Sequence, residues 1–63
     1  MGLRNTLTFA ATHVAAQAAL DAENATPEQA DALTQKAAEK ATRATSLGAT
    51  PDDITAATNL RRR

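Results

Sequence analysis

The sequence predicts an all-α protein in which two long helices form an antiparallel hairpin and a short third helix follows at the C-terminal end. The first observation is composition, since 17 of the 63 residues are alanine and only two are glycine, and alanine is the best helix former. The second is that both prolines follow a threonine, in Thr26-Pro27 and Thr50-Pro51. Proline is favoured at the first position of a helix. These two helix starts divide the chain into three helical segments. We interpret residues 1–63 as a single small helical domain.

The first helix is expected from about residue 3 to about residue 24, because nothing in that stretch breaks a helix. One arc of small and apolar residues is expected to form the seam against the second helix, namely Leu3, Leu7, Ala10, Ala11, Val14, Ala18 and Ala22. The opposite side carries Phe9, Ala16 and Leu20, with His13 beside them. An isolated hairpin would leave this second stripe in water, so we interpret it as a self-association interface.

The second helix is expected from about residue 27 to about residue 47. Thr26 is placed to be its N-cap, and Gln29 is placed to complete a capping box with Thr26. The apolar positions recur at alternating spacings of three and four, which predicts one buried face made of Ala30, Leu33, Ala37, Ala41, Ala44 and Leu47. The connection to the first helix has only two or three residues, and this length requires an antiparallel arrangement.

The third helix is expected from about residue 51 to about residue 60. Gly48 comes directly after the last apolar residue of the second helix, where a left-handed C-terminal cap is wanted. Asp52 and Asp53 then follow Pro51, in the first turn of the new helix, where the helix dipole favours acidic side chains.

A chain of this size buries so little surface that it usually needs a metal, disulfides or a partner chain. Cysteine is absent and His13 is the single histidine, so we predict no disulfide, no metal site and no cofactor. Association is then the expected source of additional stability. We expect a homo-oligomer, most simply a twofold dimer that forms a four-helix bundle, although a different protein partner would also satisfy the pattern.

Charge is distributed unevenly along a chain whose net charge is zero. Residues 1–35 carry one basic and four acidic side chains, about −3, and residues 36–63 carry six basic and three acidic side chains, about +3. A head-to-tail attraction between chains, or an acidic partner for the C-terminal half, would both fit this pattern.

The basic residues of the C-terminal half are the candidate contacts to nucleic acid. Three of them form a stripe beside the apolar face of the second helix and three form the C terminus: Lys36, Lys40, Arg43, Arg61, Arg62 and Arg63. The competing interpretation is a solvated helix face on which Glu39 pairs with Arg43. For a chain without net charge, we favour the solvated face.

The segment from Ala44 to Ile54 resembles the helix-turn-helix pattern, in which a small residue precedes a turn glycine by four positions and a branched apolar residue follows that glycine by six. Ala44, Gly48 and Ile54 match these positions. The resemblance covers at most 20 residues and implies a DNA-associated protein. Pro51 and Asp53 depart from a typical recognition helix, because an acidic start is repelled by phosphate, so no base-contacting role is assigned to any residue.

The chain contains no nucleophile with a base, no paired carboxylates in a plausible pocket and no cluster of metal ligands, so we do not expect an enzyme. The leading hypothesis is a non-enzymatic helical interaction or oligomerisation module. The alternative is a small DNA-associated regulator, or a plasmid or phage accessory protein. Abundant alanine, threonine and arginine suggest a bacterial or phage origin. The longest uncharged run is too short and too polar for a membrane span, and without a secretory signal we expect a cytoplasmic protein with no membrane partner.

Overall fold

The computed structural model describes residues 3–62, with side chains from Thr6 to Arg62, and consists there of three α-helices without strands. Helix α1 spans Leu3–Glu23, α2 spans Pro27–Ser46 and α3 spans Pro51–Arg62. The predicted all-α hairpin with a short third helix is confirmed. The ends of the helices lie within two residues of those expected from the sequence.

Helix α1 is the middle element of the fold. It packs closely along α2 and also against α3, whereas α2 and α3 touch each other only sparingly. The molecule measures 42 × 24 × 15 Å. The two outer helices therefore both pack on α1 and leave only a small contact between themselves.

The start of α2 agrees only in part with the prediction. Thr26 is the N-cap residue and has an extended backbone, and Pro27 occupies the first turn. The backbone N–H of Gln29 donates to the carbonyl of Thr26 at 3.0 Å. However, the Thr26 side chain makes no capping hydrogen bond, so the capping box predicted with Gln29 does not form.

The corner between α2 and α3 is closed by a glycine, as predicted. Gly48 has a φ of 109°, and it is the only positive φ among the described residues. The N–H of Gly48 donates to the Thr45 carbonyl and the N–H of Ala49 donates to the Ala44 carbonyl, each at 3.0 Å. These two bonds form a Schellman motif, which satisfies carbonyls that the end of a helix leaves open. The Thr8 hydroxyl of α1 also donates to the Leu47 carbonyl and ties the corner to the middle helix.

Helix α3 begins with the capping box that α2 lacks. The Thr50 N–H donates to Oδ2 of Asp53 at 3.0 Å, and the Asp53 N–H donates to Oγ1 of Thr50 at 3.1 Å. Each residue thus satisfies a backbone donor of the other. The exact start of α3 follows from this reciprocal pair.

The core is small and built from alanine. Ala15 of α1, Ala44 of α2 and Ala49 of the corner form its buried cluster, with Ala11 and Ile54 packed against them. No large side chain among those described is fully buried. Two threonines, Thr12 and Thr58, are buried as well. The hydroxyl of each donates a hydrogen bond within its own helix, from Thr12 to the Thr8 carbonyl and from Thr58 to the Ile54 carbonyl.

The face of α1 that packs against its neighbours differs from the predicted seam. Leu7 and Val14 were expected in the seam but are 55% and 49% exposed, whereas Ala15 and Ala16 are 1% and 0% exposed. Small side chains allow the helix axes to approach closely, and the larger ones then remain at the edges of the contact. Leu3, the first residue of the predicted seam, has its side chain outside the described part of the chain.

Candidate interaction surfaces

Two grooves run along α1, one on each flank. The α1–α3 groove has a volume of about 440 Å³, and the residues that line it come from α1 and α3: Thr8, Phe9, Thr12, His13, Asp53, Ala56, Ala57 and Leu60. Phe9 and Leu60 are the most exposed large apolar residues described, at 67% and 62%. Exposed apolar side chains on both walls are typical of a surface that another molecule covers.

Phe9 and His13 lie one turn apart on α1 and form a tilted ring pair. Their ring centroids are 4.3 Å apart and the planes are inclined by 48°. Arg61 of α3 reaches the same imidazole, with 3.2 Å between its Nη2 and Nδ1 of His13. Because a guanidinium only donates hydrogen bonds, Nδ1 of His13 must be the acceptor. The aromatic wall of the groove is therefore fixed at its far end by α3.

The terminal arginines hold α3 to α1 through polar contacts. Nη1 of Arg61 donates to Oε1 of Gln17 at 2.9 Å. Arg62 forms an ion pair and hydrogen bonds with Glu23, and its Nη1 donates to Oδ1 of Asn59 at 2.8 Å. Both side chains of the Arg62–Glu23 pair are about half exposed, and exposed pairs of this kind contribute little stability. Their main effect is to fix the direction of the α3 end.

The residues predicted for self-association are distributed between the surface and the core. Phe9 is exposed, while His13 and Leu20 are half-buried. Ala16 is fully buried within the chain, so it cannot contact a second chain in this conformation. Sequence reasoning missed Leu60, because its place beside Phe9 depends on how α3 crosses α1.

The second groove, the α1–α2 groove, has a volume of about 240 Å³ and combines an apolar floor with basic residues: Leu7, Ala10, Ala11, Val14, Lys40, Arg43 and Leu47. Leu7 and Val14 supply most of its exposed apolar surface. Lys40 and Arg43 border it from α2. An apolar floor with a cationic edge suits a partner that carries both apolar and acidic groups.

The basic stripe of α2 has no acidic partner within the described part of the chain. The one ion pair found among residues 6–62 joins Arg62 to Glu23, so the pairing of Glu39 with Arg43 that we considered is not formed. The predicted nucleic-acid contacts that the structure describes come from two different helices, α2 and α3. Lys40 and Arg43 line the groove on the α2 side, Arg61 and Arg62 contact α1 from the α3 side, and Arg63 lies outside the described residues.

No three histidine, cysteine or acidic side chains among those described lie close enough together to hold a metal ion. No described helix is both long and apolar enough to cross a membrane. Comparison with protein-family models, with characterised proteins and with solved structures gives no match. The α1–α3 groove and the α1–α2 groove are the candidate interaction surfaces of the described residues.

Proposed function

We propose that this chain is a non-enzymatic oligomerisation module that associates with copies of itself through the α1–α3 groove. The observation that carries the proposal is the exposure of Phe9 and Leu60 side by side in a chain whose core is made of alanine. A small domain that leaves its largest apolar side chains exposed to water loses the free energy that their burial would contribute. A second copy of the chain is the simplest partner that could bury these side chains, and a homodimer is the smallest such assembly.

Contacts between the two walls of the groove support this proposal. The Phe9–His13 ring pair forms the aromatic wall, and Arg61 links it to α3 through hydrogen bonds with His13 and Gln17. A surface that is ordered before binding loses less conformational entropy on association. Phe9 is then the expected anchor, because buried aromatic residues dominate the energetics of interfaces.

The test is the mass of the wild-type chain and of Phe9→Asp by sedimentation equilibrium at micromolar concentration. We expect the wild type to exceed the mass of one chain and Phe9→Asp to remain monomeric, because a carboxylate in the interface would be desolvated. Thr34→Asp is the matched control, since Thr34 is exposed on α2 and lines neither groove. A monomeric wild type, or a Phe9→Asp variant with the mass of wild type, would refute the proposal.

A second candidate function is association with nucleic acid through Lys36, Lys40 and Arg43. It is supported by the lack of any ion pair between these three residues and the described side chains from Thr6 to Arg62, which leaves their charges available to phosphate. Binding of this kind is strongly weakened by salt, because counterions are released from the nucleic acid. Gel retardation with mixed-sequence DNA at low salt tests it, and the variant with all three residues changed to Gln should lose any shift. An unshifted probe at micromolar wild-type protein would exclude this candidate.

A further inference from the structure

We propose that the self-association is head-to-tail, so that the α1–α3 groove of one copy packs against the α1–α2 groove of the next. This inference rests on the proposed function and specifies its partner surface. It assigns the second groove, which the sequence had placed inside the hairpin seam, to the interface. It also assigns a use to the cationic residues that border this groove.

The positions of the exposed apolar residues favour two different contacts on each copy. Leu7 and Phe9 are two residues apart in α1, which places them about 200° apart around the helix axis. Leu7 and Val14 line the α1–α2 groove, while Phe9 and Leu60 line the α1–α3 groove. A twofold contact that joins two α1–α3 grooves would leave Leu7 and Val14, each about half exposed, in water on both copies.

Charge complementarity identifies one groove as the counterpart of the other. Lys40 and Arg43 border the α1–α2 groove without an acidic partner in the described part of the chain. Three acidic residues of α2 are exposed and do not line this groove: Glu28, Asp31 and Glu39. The α1–α3 groove, in contrast, is lined by Asp53, whose Oδ2 also accepts the Thr50 N–H at the start of α3. Arg61 of α3 is hydrogen-bonded to His13, which lines this groove, and to Gln17.

Each copy therefore offers one apolar groove with a basic edge and one apolar groove with an acidic residue. A contact between unlike surfaces is heterologous, and repeated addition of copies produces either a ring or an open chain. Opposite charges across such a contact fix its register and suppress the pairing of two like grooves. The expected assemblies of the wild type thus extend beyond a dimer as concentration rises.

A mixing experiment distinguishes this arrangement from a twofold dimer. Val14→Asp disables the α1–α2 groove and Phe9→Asp disables the α1–α3 groove, and we expect each variant alone to associate more than about tenfold more weakly than wild type. Mixed in equal amounts, the two variants should form a heterodimer with twice the mass of one chain, because each still possesses the groove that the other needs. Sedimentation measures both results, and circular dichroism verifies that each variant is helical.

Several outcomes would overturn the inference. If Val14→Asp associates as the wild type does, the α1–α2 groove is not used, and the proposed oligomerisation through Phe9 still stands. If both folded variants stay monomeric after mixing, the contact is not heterologous. If the wild type is itself monomeric, the proposed function fails as well. Should Val14→Asp lose its helicity, the double variant Lys40→Glu and Arg43→Glu replaces it, since both residues border the groove and neither has an ion partner among the described side chains.

Discussion

Gly48 is the residue at which the chain turns from α2 into α3. Its φ of 109° lies in a region that side chains with a Cβ rarely adopt. A Cβ built at this position would meet only Oγ1 of Thr8, at 3.9 Å, so there is space for a methyl group. The demand for glycine thus comes from the backbone conformation and not from a close neighbour.

Gly48→Ala should therefore lower the free energy of unfolding by about 1 kcal/mol. Gly48→Asn is the matched control and should cost less, because asparagine tolerates positive φ better than alanine does. Chemical denaturation followed by circular dichroism, at one fixed protein concentration, measures both values. A stabilised Gly48→Ala variant would mean that α2 and α3 form one continuous helix.

Among the elements, the buried face of α2 could be predicted from sequence and that of α1 could not. The apolar residues of α2 occupy one narrow arc, and all of those predicted to be buried are buried or half-buried in the structure. In α1 apolar residues occur on nearly every side, so periodicity does not select a face. The choice is made by tertiary contacts, above all the alanine cluster around Ala15 and the hydrogen bond from Thr8 to the Leu47 carbonyl. The sequence predicted Phe9 as part of an interaction surface but not Leu60, because the position of Leu60 in the same groove also depends on tertiary contacts.

The two threonine-proline starts look alike in sequence but differ in structure. At α3 the Thr50 hydroxyl accepts the N–H of Asp53, whereas at α2 the Thr26 side chain makes no capping bond. Loss of a working N-cap side chain costs about 1 kcal/mol. We expect Thr50→Ala to destabilise the protein by about that amount and Thr26→Ala by clearly less, as measured by denaturation of the two variants. Equal losses would show that both threonines cap their helices in solution.

On the scale of the whole molecule, the buried core consists of small side chains, and several large apolar side chains are exposed. The fully buried side chains described are alanines, while Leu7, Phe9, Val14 and Leu60 remain about half exposed or more. Burial stabilises by about 25 cal/mol per Å² of apolar surface, so covering even Phe9 and Leu60 contributes a few kcal/mol. For so small a domain, that contribution is comparable with its entire stability.

Folding and association should consequently be coupled. A partner that binds only the folded state stabilises that state by mass action, so the melting temperature of the wild type should rise with protein concentration. The Phe9→Asp variant should lose the proposed association, so its melting temperature should be lower than that of the wild type and independent of concentration. Thermal unfolding followed by circular dichroism over a wide range of concentrations measures both slopes. A wild-type melting temperature that stays constant over that range would show that one chain is stable alone, with its apolar grooves left in water.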